Sequence, residues 1–331
     1  MEKFDIQTDG LKSNLRVKFE KLYKTYENIR RVVQTSDNLD FRNVRALFDE
    51  KKQILKNLKD QNFYIAFIGP YSTGKSTFIN ALFNRDFLPE NDEKATTAFP
   101  TFIYSVDNLE EEKAIIHYHK EKQREELKKF YLKEVNKEIR LNEKIDELLE
   151  LPNDELLEKI QKQKQALETS EMKYNENIVK AFERLIKYWN DEIDNTKQTV
   201  SVEESKGFVE NNEKSIIIDH IDIYLYNDIV SSKDIVLVDL PGVDADNPRH
   251  YDVTKKFTIE SGHADAFVVI TSPNKIENDT LNNYLRELSK RSRQLEKAFW
   301  VVNRCDDNDN PESAKMALTN SSFSFFIVQR F

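Results

Sequence analysis

Three kinds of hydrophobic pattern divide this chain. From Leu11, the apolar residues Leu11, Leu15, Phe19, Leu22, Tyr26, Ile29 and Val33 recur at intervals of four and three, with Lys, Glu, Asn and Arg between them. That spacing keeps one narrow helical face apolar, as in a coiled-coil seam. Ser36-Asp37-Asn38 interrupts the seam, and Val44, Leu47, Ile54, Leu55 and Leu58 continue a similar pattern. Residues 1–60 therefore read as two amphipathic helices ahead of the main fold, either packed on it as a hairpin or offering a seam to partner helices.

The second pattern is a series of short continuous apolar runs at 63–68, 99–106, 114–119, 216–226, 235–238, 266–270 and 298–302. Runs of that length bounded by polar turns read as buried strands. Helical periods lie between several of them, after residue 77, around 252–261 and at 279–291. Strands alternating with helices predict a three-layer α/β domain whose ligand lies along the carboxyl edge of the sheet. The third pattern runs from about 120 to 213, rich in Lys, Glu, Gln and Asn, with Leu127, Tyr131, Val135 and Ile139 at four-residue spacing. Val179, Phe182, Ile186 and Trp189 give a stronger apolar face, and Pro152-Asn153 and Thr169-Ser170 punctuate the stretch. It reads as a helical insertion of about three segments, serving as a solvated spacer, an oligomer platform or a bundle with the N-terminal helices.

The first strand run opens onto Gly69-Pro70-Tyr71-Ser72-Thr73-Gly74-Lys75-Ser76, which fits G-x-x-x-x-G-K-S/T between a strand and a helix. Such a loop turns backbone N–H groups and a helix N-terminus toward a polyphosphate. Chance supplies the pattern in roughly one chain of this length in a hundred, and glycine is scarce here, with 6 in the chain. Gly69 and Gly74 frame the loop, and Gly242 stands in Asp239-Leu240-Pro241-Gly242, a D-x-x-G that follows another strand run. Glycine suits backbone that must approach phosphate closely. Gly69, Tyr71, Ser72, Thr73, Gly74, Lys75, Ser76 and Thr77 are thus expected to bind nucleotide. Lys75 would supply positive charge to the β and γ phosphates and Ser76 would ligate Mg2+. In the polar stretch 91–97, Thr97 is the expected switch residue that completes the metal shell, while Asp239 holds the ion through a water and the Gly242 N–H reports the γ-phosphate. Hydrolysis would release Thr97 and the Gly242 loop together.

Asn303-Arg304-Cys305-Asp306 follows the last of these strand runs. A carboxylate at Asp306 can accept from both N1–H and the 2-amino group of guanine, and adenine offers neither, so the motif predicts GTP over ATP. Arg304 stands where the usual N-K-x-D has Lys, and its planar guanidinium can lie along the base. The residue after Gly242 is Val243 rather than Gln, so the isolated monomer is expected to hydrolyse slowly. Ser72, a monovalent cation or groups from a second subunit are candidates to orient the attacking water; Arg249 is a candidate for a finger in trans, though its position fits a surface role better. Lys75, Ser72 and Thr97 form the expected catalytic set.

Composition narrows the partners. The net charge is −9 over 331 residues with both signs mixed, so no overall basic field favours nucleic acid. The single Cys305 excludes an intrachain disulfide and a Cys-rich zinc site, and Met1-Glu2-Lys3-Phe4-Asp5 lacks the apolar core of a signal peptide. A cytoplasmic protein is the expectation. No apolar run nears the roughly 20 residues of a membrane span, so membrane contact is expected to be peripheral.

The phosphate loop with its helix, Ala95-Thr96-Thr97-Ala98-Phe99-Pro100-Thr101, and Asp239-Leu240-Pro241-Gly242-Val243 followed by Asn247-Pro248 resemble the N-terminal GTPase domain of the dynamin superfamily, its bacterial members in particular. The similarity spans roughly residues 60 to 310, and the T-x-x-P favours Thr97 over Thr96. It implies a large GTPase that self-associates through its nucleotide face, stimulates hydrolysis in its partner, and tethers or remodels membranes, with the helices of residues 1–60 acting as a neck. Tyr71 stands where eukaryotic dynamins carry a Gln, as bulky aromatics do in bacterial relatives. About 25 residues follow Asp306, so the domain of residues 61–331 reads as incomplete at its C-terminal end; Ser313-Ala314-Lys315 echoes a guanine loop but comes too soon after Asp306. Two other readings stand beside this one. One is a nucleotide-binding interaction module without turnover. The other is a septin-like or ribosome-assembly-type GTPase, which ordinarily lacks the long insertion and the T-x-x-P.

Overall fold

Alternation within the apolar runs decides how the layers form. In strand β1 (Phe63–Ile68), Phe67 enters one core while Ala66 and Ile68 enter another, and all three are buried. A strand packed by helices on both faces needs this unbroken apolarity. The same division recurs in β6 (Ile235–Asp239), where Leu237 faces one side and Val236 and Val238 the other, and in β7 (Ala266–Thr271), where Val268 and Ile270 oppose Phe267 and Val269. A computed structural model of the chain describes residues 62–89, 98–170, 172–191, 196–210, 213–227, 234–244, 248–261, 263–272, 275, 279–291, 298–303 and 326–328. The expected N-terminal helices, Thr97, Arg304 and Asp306 lie outside those residues.

The remaining strands are β2 (Thr101–Val106), β3 (Lys113–Tyr118), β4 (Lys197–Val200), β5 (Ile218–Tyr226), β8 (Ala298–Val302) and β9 (Phe326–Val328). They form one sheet in the order β4-β3-β5-β2-β6-β1-β7-β8-β9. From β6 through β9 all neighbours are parallel, while β2 pairs antiparallel with β6. The carboxyl ends of β1, β6, β7 and β8 therefore share one edge. The antiparallel β2 brings its amino end there, with Thr101 opposite Asp239.

One face carries helix α1 (Lys75–Phe83), through Ile79 and Phe83, together with the helices between β3 and β5. Those are α2 (Glu121–Glu138), α3 (Ile145–Leu149), α4 (Asn153–Thr169), α5 (Glu176–Lys187) and α6 (Val202–Glu210). The opposite face carries α7 (Pro248–Lys255), which runs on into a π-helical turn Lys256–Glu260, and α8 (Asp279–Arg291).

The insertion is neither a spacer nor wholly helical. Leu127, Tyr131, Val135, Ile139, Val179, Phe182 and Ile186 are buried in the same core as Phe67 and Ile103 of the sheet. Five described helices replace the expected three, and Lys197–Val200 adds an edge strand antiparallel to β3. Alternating exposure in that short polar strand gives it no apolar run to read. Arg124 fastens the insertion: its buried guanidinium donates to the carbonyls of His119 at 2.9 Å and Tyr188 at 3.2 Å, and to that of Trp189. Two smaller expectations shift. Residues Glu213–Ile217 form a 3-10 turn before the strand starts at Ile218, and the helix expected near 252 begins at Pro248.

Candidate nucleotide-binding site

The loop between β1 and α1 is built around glycines at which any side chain would be strained. A Cβ on Gly69 would lie 1.9 Å from the Ile270 carbonyl oxygen, so the loop crosses the end of β7 in backbone contact. Gly74, the N-cap of α1, has φ 83° and ψ 31°, in the left-handed region. A Cβ there would stand 2.2 Å from Asn303 Nδ2, and one on Gly242 would stand 2.8 Å from both the backbone N and Cα of Tyr71. All three motif glycines thus converge on one small volume. Ser72 is also left-handed, with φ 55°.

Hydrogen bonds hold the pieces in register. Thr73 Oγ1 donates to the carbonyls of Pro70 at 2.9 Å and Ile270 at 3.2 Å. Val243 N–H reaches the Gly69 carbonyl at 3.2 Å, and Thr254 Oγ1 of α7 donates to the Pro241 carbonyl at 2.8 Å. The D-x-x-G is thereby tied to the loop on one side and to α7 on the other. Asn303, immediately after β8, donates from its backbone to Thr271 at 2.8 Å and from Nδ2 to the Thr73 carbonyl at 3.2 Å. The expected base-reading segment thus starts in contact with the phosphate loop. Thr77 lies in the first turn of α1.

Lys75 is the electrostatic centre. Its side chain is buried, and Nζ donates to the Pro70 carbonyl at 2.9 Å and the Gly69 carbonyl at 3.4 Å. Burial pulls its pKa below the ordinary lysine value and the nearby charge of Lys275 pulls the same way, against Asp239 and Asp244. An ammonium group kept from water at a helix N-terminus favours an anionic partner. Beside it, Ser76 Oγ donates to Asp239 Oδ2 at 2.9 Å. A hydroxyl and a carboxylate so placed are hard oxygen donors of the kind Mg2+ takes.

Three participants were not read from the sequence. Asp244 Oδ1 accepts from the Tyr71 backbone N–H, and Lys275 Nζ donates to the Tyr71 carbonyl. Lys275 also lies 3.5 Å from Asp244 Oδ2 and 5.6 Å from the centre of the Tyr71 ring. The signal for both was position: Asp244 comes two residues after the D-x-x-G, and Lys275 follows the carboxyl end of β7, where ligand-binding side chains gather. The third is His250 in α7, whose Nδ1 is buried with no hydrogen-bond partner among the described residues. Burial pushes its pKa down to about 4, with the charges of Arg249 and Lys75 acting the same way. Arg249 lies 3.6 Å from Asp252 of its own helix.

Comparison with known proteins points one way. The family model described as the dynamin family matches residues 65–305. The chain is 24% identical over 264 residues to "Dynamin-like protein A" of Bacillus subtilis (strain 168), a match covering 77% of this chain and 20% of that protein. It superposes with a TM-score of 0.51, at 18% identity, on solved structures of an oligomerised bacterial dynamin pair, described as a mechanism for the long-range sensing and tethering of membranes. Those matches cover 100% and 99% of this chain and 47% of each solved chain. The chain thus spans about a fifth of the curated relative and under half of the solved ones.

Proposed function

The chain belongs to the dynamin family, and from that premise we propose that it binds GTP with Mg2+ at this loop, hydrolyses it slowly alone and faster when two nucleotide faces meet, and couples the cycle to membrane tethering or remodelling. The observation that carries the proposal is Lys75, a cation buried among carbonyls at the start of α1, in a loop whose motif glycines lie in close contact with their neighbours. A polyphosphate laid across the loop would take Lys75 and the first N–H groups of α1 as partners, and the Gly242 N–H would meet its γ end. Ser76 and Asp239 would hold Mg2+, with Thr97 closing the shell; the ion would offset charge on the β and γ phosphates. Asn303, Arg304 and Asp306 would select guanine.

The side chain that follows Gly242 supports slow turnover by a single chain. Val243 is buried in the core beneath α7 and has no group with which to orient water. Ser72, a monovalent cation, or a second copy's nucleotide face would supply that function. The same observation favours a second reading, binding without turnover. Among the described residues no helix is long and apolar enough to cross a membrane, so this part of the chain would act at a membrane surface.

GTP hydrolysis measured against protein concentration, with and without anionic liposomes, tests the proposal; Lys75→Ala is the blank and ATP the competitor. Specific activity should rise with concentration and vanish in Lys75→Ala, with ATP failing to compete. GTP bound without turnover at any concentration establishes the second reading, and failure to bind GTP overturns both.

A further inference from the structure

Away from the nucleotide edge, the outer part of the sheet brings histidines and carboxylates together across two strands. His117 of β3 and His220 of β5 are directly paired in the antiparallel register. Their rings stack with centres 4.0 Å apart at 17°. Asp222, two residues beyond His220, lies on the same face by strand alternation. Its Oδ2 is 2.9 Å from His117 Nε2, and its Oδ1 is 3.9 Å from His220 Nε2. The three donor atoms all lie within 4.8 Å of one another.

We propose that His117, His220 and Asp222 form a binding site for a divalent transition-metal ion of the Zn2+ type. Two imidazole nitrogens and a carboxylate oxygen are a donor set that Zn2+ takes and that Mg2+ does not favour. Tetrahedral bonds of the usual length place ligand atoms about 3.4 Å apart, near the 2.9 and 3.9 Å nitrogen–oxygen separations seen here; because a metal lies in the plane of each imidazole that binds it, one of the two stacked rings turns about its Cβ–Cγ bond when the ion binds.

A second observation, independent of the cluster's spacing, prepares one ligand. His220 Nδ1 is 2.9 Å from Asp219 Oδ2, so its proton is held on that side and Nε2 presents a lone pair toward Asp222. A carboxylate behind a histidine is the outer-shell partner metal-binding imidazoles ordinarily have. Asp219 is itself fixed, with Oδ1 3.2 Å from the buried His119 Nδ1. On metal binding the ion replaces the proton shared by His117 Nε2 and Asp222, and that imidazole proton moves to Nδ1. The side chains remain 14%, 27% and 13% exposed for His117, His220 and Asp222, so an ion has a way in and a water can complete its shell. Lys197 lies opposite His117 on β4; its charge opposes the ion, and Asp219 and Asp222 outweigh it.

The test uses the full chain stripped with chelator and free of nucleotide. Equilibrium dialysis should show one Zn2+ per chain, and Co2+ should give the visible absorption of a low-coordinate site. Zn2+ at a hundredfold excess over Kd should raise Tm by roughly 3 to 5 °C, while Mg2+ at the same level should not. Asp222→Asn keeps the shape of the side chain and should weaken Zn2+ binding by at least tenfold, and His117→Ala with His220→Ala should abolish it. His263→Gln, in the stretch before β7, should change nothing. Absence of stoichiometric uptake by the intact chain overturns the proposal, as does uptake that survives the double histidine substitution. Should either histidine variant fail to fold, the Asp222→Asn comparison and the Co2+ spectrum decide.

Discussion

The contact between Gly74 and Asn303 allows the assembly of the nucleotide edge to be measured without nucleotide. Gly74→Ala has two separable costs. A left-handed backbone costs an L-residue about 1 to 2 kcal/mol, and Gly74 sits there with φ 83°. The new Cβ would also lie 2.2 Å from Asn303 Nδ2, so the amide must move and abandon its bond to the Thr73 carbonyl. Leaving buried polar groups unsatisfied costs about 1 to 3 kcal/mol, and Asn303 is buried. The single substitution should therefore cost about 2 to 5 kcal/mol.

Asn303→Ala alone removes the same hydrogen bond and should cost about 1 to 2 kcal/mol. In the double variant the amide is gone before the methyl arrives, so the second cost is not incurred twice. Urea unfolding of the four proteins, nucleotide-free, should show the double variant more stable than the sum of the singles predicts by about 1 to 3 kcal/mol. Additivity within about 0.5 kcal/mol would mean the two side chains do not meet, and the placement of the base-reading segment against the phosphate loop would be wrong.

Three further outcomes follow from the same geometry. Gly242→Ala puts its Cβ 2.8 Å from the Tyr71 backbone; if the proposed nucleotide site holds, GTP affinity by fluorescent-analogue titration should fall by about tenfold or more, or about 1.4 kcal/mol, with GDP less affected because the proposal sets the γ end alone against Gly242. His250 is neutral when folded and its pKa is lowered to about 4, so unfolding takes up a proton between that value and about 6.5. Stability is fully present above about pH 6.5 and is lost as pH falls toward about 4, by about 3 kcal/mol at most; urea midpoints should show this, and His250→Gln should flatten the profile. Arg124→Met strands the buried carbonyls of His119, Tyr188 and Trp189 and should cost about 3 to 5 kcal/mol, read as earlier urea unfolding.

What could be read from the sequence was whatever a short stretch decides by itself. The strand–turn–helix unit at β1 and α1 was legible because Gly74 answers a local demand, a left-handed cap at the start of the helix. The central strands were legible because β1, β6 and β7 are covered on both faces and must be apolar throughout. Lys197–Val200 was missed because an edge strand with one exposed face carries no such run, and Phe326–Val328, apolar but short, is identified as a strand only by its pairing with β8. Asp244 and Lys275 were missed for a different reason: their positions after the D-x-x-G and after β7 place each at the sheet's carboxyl edge, but their meeting with Tyr71 exists only in the fold. The His117–His220 pair depends on register more sharply still. Sliding β3 by one residue against β5 would turn His117 to the opposite face, beneath the insertion helices. The register that fixes it comes from neighbours such as Ala114 and Ile116, buried on that opposite face. The apolar side of the strand, chosen for packing, thereby determines what its polar side can bind.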